Sequence, residues 1–407
     1  MIDFPNITDI CRVTESKIVM VVVDGLGGMR HPHFGMSELE SAEIPVLDGL
    51  ASQSDCGVTT PVLPGISPGS GPGHMGLFGY DPLKYLVGRG VLEGMGIGID
   101  IPDGFVAARG NFCIVDSNGL IIDRRAHRID SGEGKRLCKV INERIKAESN
   151  GNSMDITFEM FPVMDYRFVL LCRNATAGVT MTDPQVEGVR ILDSKPMELE
   201  DSRMAAAING FSDEVSLLLA EDPLSTANAI LLRGFSTPPK LPDFGKTYNL
   251  NAAAIAGYPM YRGLASLLGM KILESQQDFA DEIRTLTENF QKFNFFFVHY
   301  KPADSAGEDG DFGTKVQSLE YFDSQLHGIL DLNPDVLVVC GDHSTPAYME
   351  NHSWHPVPFL VKSKYSESYS ASFTERECRN GAAGRIRSEE LMLMALAHAG
   401  KLNRFGP

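Results

Sequence analysis

The chain has 407 residues, 43% of them hydrophobic and 22% charged, with a formal charge of −17. So acidic a surface argues against nucleic acid or anionic membrane as partners, and no apolar run approaches the ~20 residues of a membrane helix. Seven cysteines without a CxxC pair, and an opening MIDFPNITDICRV that lacks a basic-then-apolar signal pattern, imply reduced thiols and a cytoplasmic setting.

The apolar run IVMVVV (18–23) reads as a strand, and Asp24 follows it in "VVVDGLGG". An Asp-Gly after a strand is ordinarily a turn, so Asp24 gains meaning only from company elsewhere. His31 and His33 in "MRHPHFG" read either as a metal pair or, more simply, as a loop. The stretch "PGSGPGHMGLFGYDP" (68–82) contains Gly71, Gly73 and Gly76 in a GxGxxG spacing. A dinucleotide loop should follow a strand directly and open a helix. Here Pro64, Pro68 and Pro72 precede or interrupt the motif, which removes a nicotinamide oxidoreductase. GPGHMGLF can open a short helix with Ser70 at its positive N-terminus, and Gly69, Gly71 and Gly73 would let backbone or ligand approach closely. Ser70 otherwise reads as a plain N-cap, and His74 as a half-buried histidine bonded to backbone.

Residues 89–240 differ in texture and carry Arg109, Arg124, Arg125, Arg128 and Arg233. They read as an inserted α+β cap domain interrupting a main domain of 1–88 and 241–407. Within the insert, RFVLLC (167–172) and NAILLR (228–233) are further strands. Arg262 follows in "YPMYRG". The strand NFFFVHY (294–300) leads into "KPADSAGEDGD", with Lys301, Asp304, Glu308 and Asp309. Apolar residues at three- and four-residue steps predict a helix over 314–332. The strand DVLVVC (335–340) leads into "GDHSTP", with Asp342 and His343, and "ENHSWHPVPF" puts His352 and His355 just before the strand 357–362. A C-terminal helix over 385–400 stops at Gly400. Strands alternating with helices predict an α/β fold with a mainly parallel sheet, its strands covered on both faces.

In open α/β sheets ligands bind outside the carboxyl ends of the strands. Three strand ends here carry acids, one with an adjacent histidine, and a histidine pair lies nearby. Carboxylates and imidazoles without cysteine suit manganese, zinc or magnesium. The ligand count supports two ions, which ~4 Å apart would clamp both oxygens of a phosphoryl displacement and activate a serine such as Ser70. An EF-hand starting at Asp304 fails, because Ala306, Glu308 and Asp309 occupy its third, fifth and sixth positions.

"VVVDG", "PGSGPGHMGLFGYDP", "DSAGEDGDF", "GDHSTP" and "HSWHPVPF" together resemble, over most of the chain, the archaeal-type cofactor-independent phosphoglycerate mutases of the alkaline phosphatase superfamily. The resemblance implies an alkaline-phosphatase-like three-layer domain and two divalent ions, usually manganese. One ion would be held by Asp24, Ser70, Asp342 and His343, the other by Asp304, residue 308 and His352. It also implies a phosphoserine at Ser70, with 3-phosphoglycerate and 2-phosphoglycerate interconverted without bisphosphoglycerate. One departure stands out: the related mutases place histidine where this chain has Glu308, which favours a harder metal than zinc. That departure keeps open a phosphatase, a phosphodiesterase or a homoserine-directed phosphotransferase on the same fold, beside a non-catalytic metal-stabilised binding protein. A phosphorylated sugar acid needs arginine forks. The candidates are Arg109, Arg124, Arg125, Arg128, Arg233 and Arg262, with His74 and Lys301 near the phosphate and Asp123 as general acid/base. The oligomeric state is left open.

Overall fold

In the computed structural model, which describes residues 1–148, 156–275 and 278–406, the strand Ile18–Val23 is buried along its whole length. It lies between Phe295–Tyr300 and Val336–Cys340, parallel to both. The chain divides into two compact units, Met1–Leu86 with Leu241–Pro407, and Val87–Lys240.

The first unit holds an eight-stranded sheet in the order Gly384–Arg387, Asp55–Thr60, Val357–Ser363, Val336–Cys340, Ile18–Val23, Phe295–Tyr300, Ala252–Ile255, Lys271–Ile272. Only the two pairings of Val357–Ser363 are antiparallel. Its reversed direction brings the start of that strand to the edge where its parallel neighbours end. Both faces are covered, as the unbroken apolar runs predict. Val19, Val21 and Val23 pack with Leu47, Leu50, Phe279, Leu319 and Phe322. On the other face Phe297, paired in register with Met20, meets the Phe78 ring at 5.0 Å.

The second unit is a five-stranded antiparallel sheet. Its helices Ser131–Glu148 and Ser202–Glu221 share one core with the strands, and Arg89–Gly96 packs in another. This corrects the use of 167–172 and 228–233 as evidence for a parallel sheet. Those runs are continuous because two apolar layers bury them, and burial on both faces does not fix strand direction.

Two helix limits also change. The helix expected over 314–332 runs Phe312–Gln325, followed by the short helix His327–Leu330. The C-terminal helix occupies only Leu391–His398. Before it, Gly384–Arg387 is an edge strand parallel to Asp55–Thr60, because hydrogen bonds to that strand satisfy its backbone better than a solvated helical turn would. Gly400, at φ 64°, ends the helix as expected.

Candidate metal centre

Asp24 is the first residue beyond its strand, and its N–H donates to the Tyr300 carbonyl at 2.8 Å. Asp304 sits in the helix Pro302–Glu308 that follows Phe295–Tyr300. Asp342 and His343 follow Val336–Cys340, and His352 precedes the reversed strand Val357–Ser363. The three parallel strands are adjacent, so their carboxyl ends deliver acids from distant parts of the chain to one place. Two sets of ligand atoms result, each with its members within 4.8 Å of one another: Asp24, Asp342 and His343, and Asp304, His343 and His352. His343 belongs to both.

Close backbone approach makes this packing work. Gly25 has φ 67°, and a Cβ there would lie 2.8 Å from the Asp304 Cα. A Cβ at Gly73 would lie 2.4 Å from the Asp342 carbonyl oxygen. Gly69 is not crowded in this way, its nearest neighbour being Pro72 at 3.8 Å.

Ser70 opens the helix Ser70–Leu77, whose N-cap is Gly69. The serine is thus not the cap, and its Oγ lies 3.3 Å from His343 Nε2. The same nitrogen is 3.3 Å from Asp24 Oδ1 and 3.1 Å from Asp342 Oδ2. His343 Nδ1 meets Thr345 Oγ1 at 2.9 Å, and that hydroxyl donates to Asp304 Oδ1 at 2.7 Å. His352 Nδ1 is held 2.9 Å from the Pro68 carbonyl. Its Nε2 points at Asp304 Oδ1 (3.6 Å) and Glu308 Oε1 (3.4 Å). The His343 and His352 rings stack at 3.6 Å.

The two oxygens of Asp24 are unequal. Oδ2 receives the Tyr261 hydroxyl and lies 3.2 Å from His299 Nε2 and 3.1 Å from Lys301 Nζ. Oδ1 is buried with no hydrogen-bond partner among the described residues. Burial alone would raise the Asp24 pKa, but Lys301, His299 and His343 hold it well below the usual carboxylate range. Burial takes His299 down to about 4, so that ring is neutral, and it also lowers His343, which leaves a neutral imidazole fit to ligate. An orphaned, ionised carboxylate oxygen beside a neutral imidazole, with only oxygen and nitrogen donors around, fits a divalent ion of the manganese or magnesium kind.

Several candidates are placed differently from their expected roles. His74 is fully buried; its Nδ1 lies 2.9 Å from the Ser70 carbonyl and 3.1 Å from Asp342 Oδ2, behind the ligands with no exposed surface. Lys301 Nζ bonds Asp304 as well as facing Asp24. Glu308 is 53% exposed and belongs to neither ligand set. Arg262 pairs with the exposed Glu274 at 3.1 Å. His31 lies tilted against the Phe34 ring at 4.4 Å, His355 bonds Ser353, and none of His31, His33, His355 or Asp309 enters a ligand set among the described residues.

In the second unit Arg109 is 5% exposed and 3.4 Å from Glu93, and burial lowers its pKa to about 10. Arg124 forks onto Asp183 at 2.7 and 2.9 Å. Arg233 donates to Gln185 at 2.8 Å and lies 3.7 Å from the same Asp183. Arg125 and Arg128 are exposed. Asp123 accepts from the Arg125 and His127 N–H groups, both at 2.7 Å, and from His127 Nδ1 at 2.8 Å. Burial opposes its ionisation, but those donors hold it below the usual range. The turn it caps keeps Ala126, His127 and Arg128 at positive φ, a strained run for non-glycine residues.

Sequence reasoning missed Tyr261, His299 and Thr345. The only available signal was His299 itself, a polar residue closing the apolar run FFFVHY one position before a strand end.

A family model described as "2,3-bisphosphoglycerate-independent phosphoglycerate mutase" matches residues 51–225. Over 409 residues the chain is 44% identical to a Thermus thermophilus protein named "Probable 2,3-bisphosphoglycerate-independent phosphoglycerate mutase", with 99% of each chain covered. A Thermotoga maritima protein of the same name is 46% identical over 399 residues, 97% of each. Among solved structures, a Pyrococcus horikoshii protein aligns with a TM-score of 0.82 at 25% identity, covering 97% of this chain and 100% of that one. The "Cofactor-Independent Phosphoglycerate Mutase from Thermoplasma acidophilum" aligns with a TM-score of 0.65 at 25% identity, over 94% of this chain and 100% of that one.

Proposed function

Because the chain belongs to the 2,3-bisphosphoglycerate-independent phosphoglycerate mutase family, we propose that it interconverts 3-phosphoglycerate and 2-phosphoglycerate through a phosphoserine at Ser70. The convergence of Ser70 Oγ, Asp24 Oδ1 and Asp342 Oδ2 on the single nitrogen His343 Nε2, all within 3.3 Å of it, carries this assignment. Asp24, Asp342, His343 and Ser70 would hold one divalent ion, and Asp304 and His352 the other, with Glu308, outside that set but with its Oε1 3.4 Å from His352 Nε2, close enough to turn in as a further carboxylate. The ions would supply positive charge to the phosphoryl oxygens and acidify the serine hydroxyl. With a carboxylate at 308, manganese or magnesium suits the set better than zinc.

The chain's own groups do the rest. Ser70 Oγ releases its proton and attacks phosphorus as the bond to the glycerate oxygen breaks, and that oxygen takes up a proton in turn. The helix N-terminus beneath Ser70 favours the phosphoryl group where it now sits. The glycerate turns without leaving, its other hydroxyl attacks and loses its proton, and Ser70 departs and is reprotonated. Arg109 and Arg233, with Arg124, Arg125 and Arg128 near them in sequence or space, supply forks for the carboxylate and spare phosphate oxygens. Asp123, paired with His127, exchanges the proton of the glycerate hydroxyl. Such chemistry belongs to cytoplasmic glycolysis and gluconeogenesis.

The test is an enolase-coupled assay on chelator-stripped protein, with manganese, magnesium and zinc added back one at a time and no bisphosphoglycerate. Turnover with manganese and no release of inorganic phosphate is expected, together with loss of turnover in Ser70→Ala. Phosphate release without isomerisation would replace the mutase by a phosphatase, and full activity in Ser70→Ala would remove the phosphoserine.

A further inference from the structure

Lys315 is fully buried in the helix Phe312–Gln325. Its Nζ donates to the Gly27 carbonyl at 3.0 Å and to the Thr345 carbonyl at 2.8 Å. Burying an ammonium is costly, and here it holds together two loops that each carry ligands. Gly27 lies three residues past Asp24, and Thr345 two past His343. The Thr345 N–H donates to the same Gly27 carbonyl at 3.0 Å. Gly25 closes the threonine in, since a Cβ there would lie 2.7 Å from Thr345 Oγ1. Thr345 has no exposed surface, so its hydroxyl bonds only what the protein sets beside it.

What lies beside it is a ligand from each ion set. Oγ1 is 2.9 Å from His343 Nδ1 and 2.7 Å from Asp304 Oδ1, and it bridges two atoms that are 3.9 Å apart. A hydroxyl has one proton to give. The Lys301 ammonium bonds the other oxygen of Asp304, so Oδ1 is an acceptor and takes the threonine proton. What remains on Oγ1 is an acceptor for an N–H at His343 Nδ1. A neutral imidazole carries one proton. With that proton on Nδ1 the bare nitrogen is Nε2, the one that faces Ser70, Asp24 and Asp342. By distance His343 belongs to both ligand sets, but a ring held this way serves an ion through Nε2 alone. We propose that Thr345 is a positioning residue that, by accepting the Nδ1–H, assigns His343 to the ion of Asp24 and Asp342 and leaves Asp304 and His352 to the other. The inference rests on the two-ion reading of the centre and not on which phosphoester is turned over.

Two variants separate positioning from packing. Thr345→Val keeps the shape and loses the hydroxyl, whereas Thr345→Ser keeps the hydroxyl and loses a methyl. Manganese is titrated by calorimetry into the chelator-stripped full chain. One of the two bound ions should be about tenfold weaker or worse in Thr345→Val, where the Nδ1–H is buried without an acceptor, and within about threefold of wild type in Thr345→Ser. A packing role ranks the variants the other way, with valine near wild type and serine weaker; that order, or equal affinity in all three proteins, overturns the proposal. Should Thr345→Val not fold, long-range proton–nitrogen spectra of the magnesium-loaded wild type decide. A proton on His343 Nδ1 supports the assignment, and a bare Nδ1 with the proton on Nε2 refutes it. Turnover is read separately. Wild type that binds two manganese ions yet does not isomerise phosphoglycerate removes the mutase reading and leaves this one standing. Wild type that isomerises, with Thr345→Val binding manganese equally well, removes this one alone.

Discussion

Replacing Tyr261 by phenylalanine removes one hydroxyl and little else. The ring stays stacked on His299, 3.7 Å away, and the site is fully buried, so packing is conserved. Burial and the Asp24 charge keep the Tyr261 hydroxyl well above its usual pKa, and it is a donor at every working pH. What is lost is one donor to Asp24 Oδ2. A hydrogen bond to a charged group is worth about 1.5–3 kcal/mol. The lower end applies here, because His299 and Lys301 still lie 3.2 and 3.1 Å from the same oxygen. About 1.5 kcal/mol corresponds to roughly a tenfold change in an equilibrium constant. It should appear in how well Oδ1 is aimed at an ion, as loss of a supporting hydrogen bond does at metal sites. Calorimetric titration of manganese into chelator-stripped Tyr261→Phe should show affinity about tenfold below wild type, with turnover at saturating manganese within about threefold. Unchanged manganese affinity would refute the view that Tyr261 orients Asp24.

Other perturbations follow from the same geometry. Gly73→Ala forces a Cβ to within 2.4 Å of the Asp342 carbonyl oxygen, so urea denaturation should show a loss of about 1–3 kcal/mol along with reduced metal affinity. Asp183→Asn removes the shared partner of Arg124 and Arg233; stability should fall by about 3 kcal/mol, the low end for a buried pair because both arginines are partly exposed, and the KM for phosphoglycerate should rise. Burial opposes protonation of His352, but Glu308 and Asp304 raise its pKa from 6.5 to about 9. With metals chelated, that pair therefore contributes about 3 kcal/mol, fully present below pH 6.5 and lost as pH rises through about 9. Denaturation midpoints between pH 6 and 10 should show the fall, and Glu308→Gln should flatten it.

Much of the centre was legible because strand direction and sequence order suffice to place it. An acid just past each of three adjacent parallel strands lands on one edge whatever the side chains inside the sheet do. That logic reached Asp24, Asp304, Asp342 and His343 directly, and His352 through its place just ahead of a strand. It did not reach Tyr261, which lies on a helix whose face toward Asp24 depends on how that helix packs. His299 looked like the last residue of an apolar strand, and only register against Val22 sets it beside Asp24. His74 was misjudged for a related reason: its spacing from Ser70 is that of a helix turn, which points its ring back at Asp342 and away from solvent. The antiparallel sheet of the second unit was hidden because burial on both faces erases the alternation that would have revealed it. The edge strand Gly384–Arg387 is too short and too charged to announce itself.

The central strand Ile18–Val23 pairs with residues that begin 277 positions later, at Phe295, and on its other side at Val336. At a ribosomal pace of about 5–20 residues per second, that strand waits roughly 14–55 s for its first neighbour. The strands of the second unit find their partners within 105–236, so that unit can close while the apolar hexapeptide that precedes it is still bare. Biosynthesis thus runs from the inside of the insertion outward. The interval after its middle has folded and before its last third has left the ribosome is when the bare hexapeptide is most open to wrong partners.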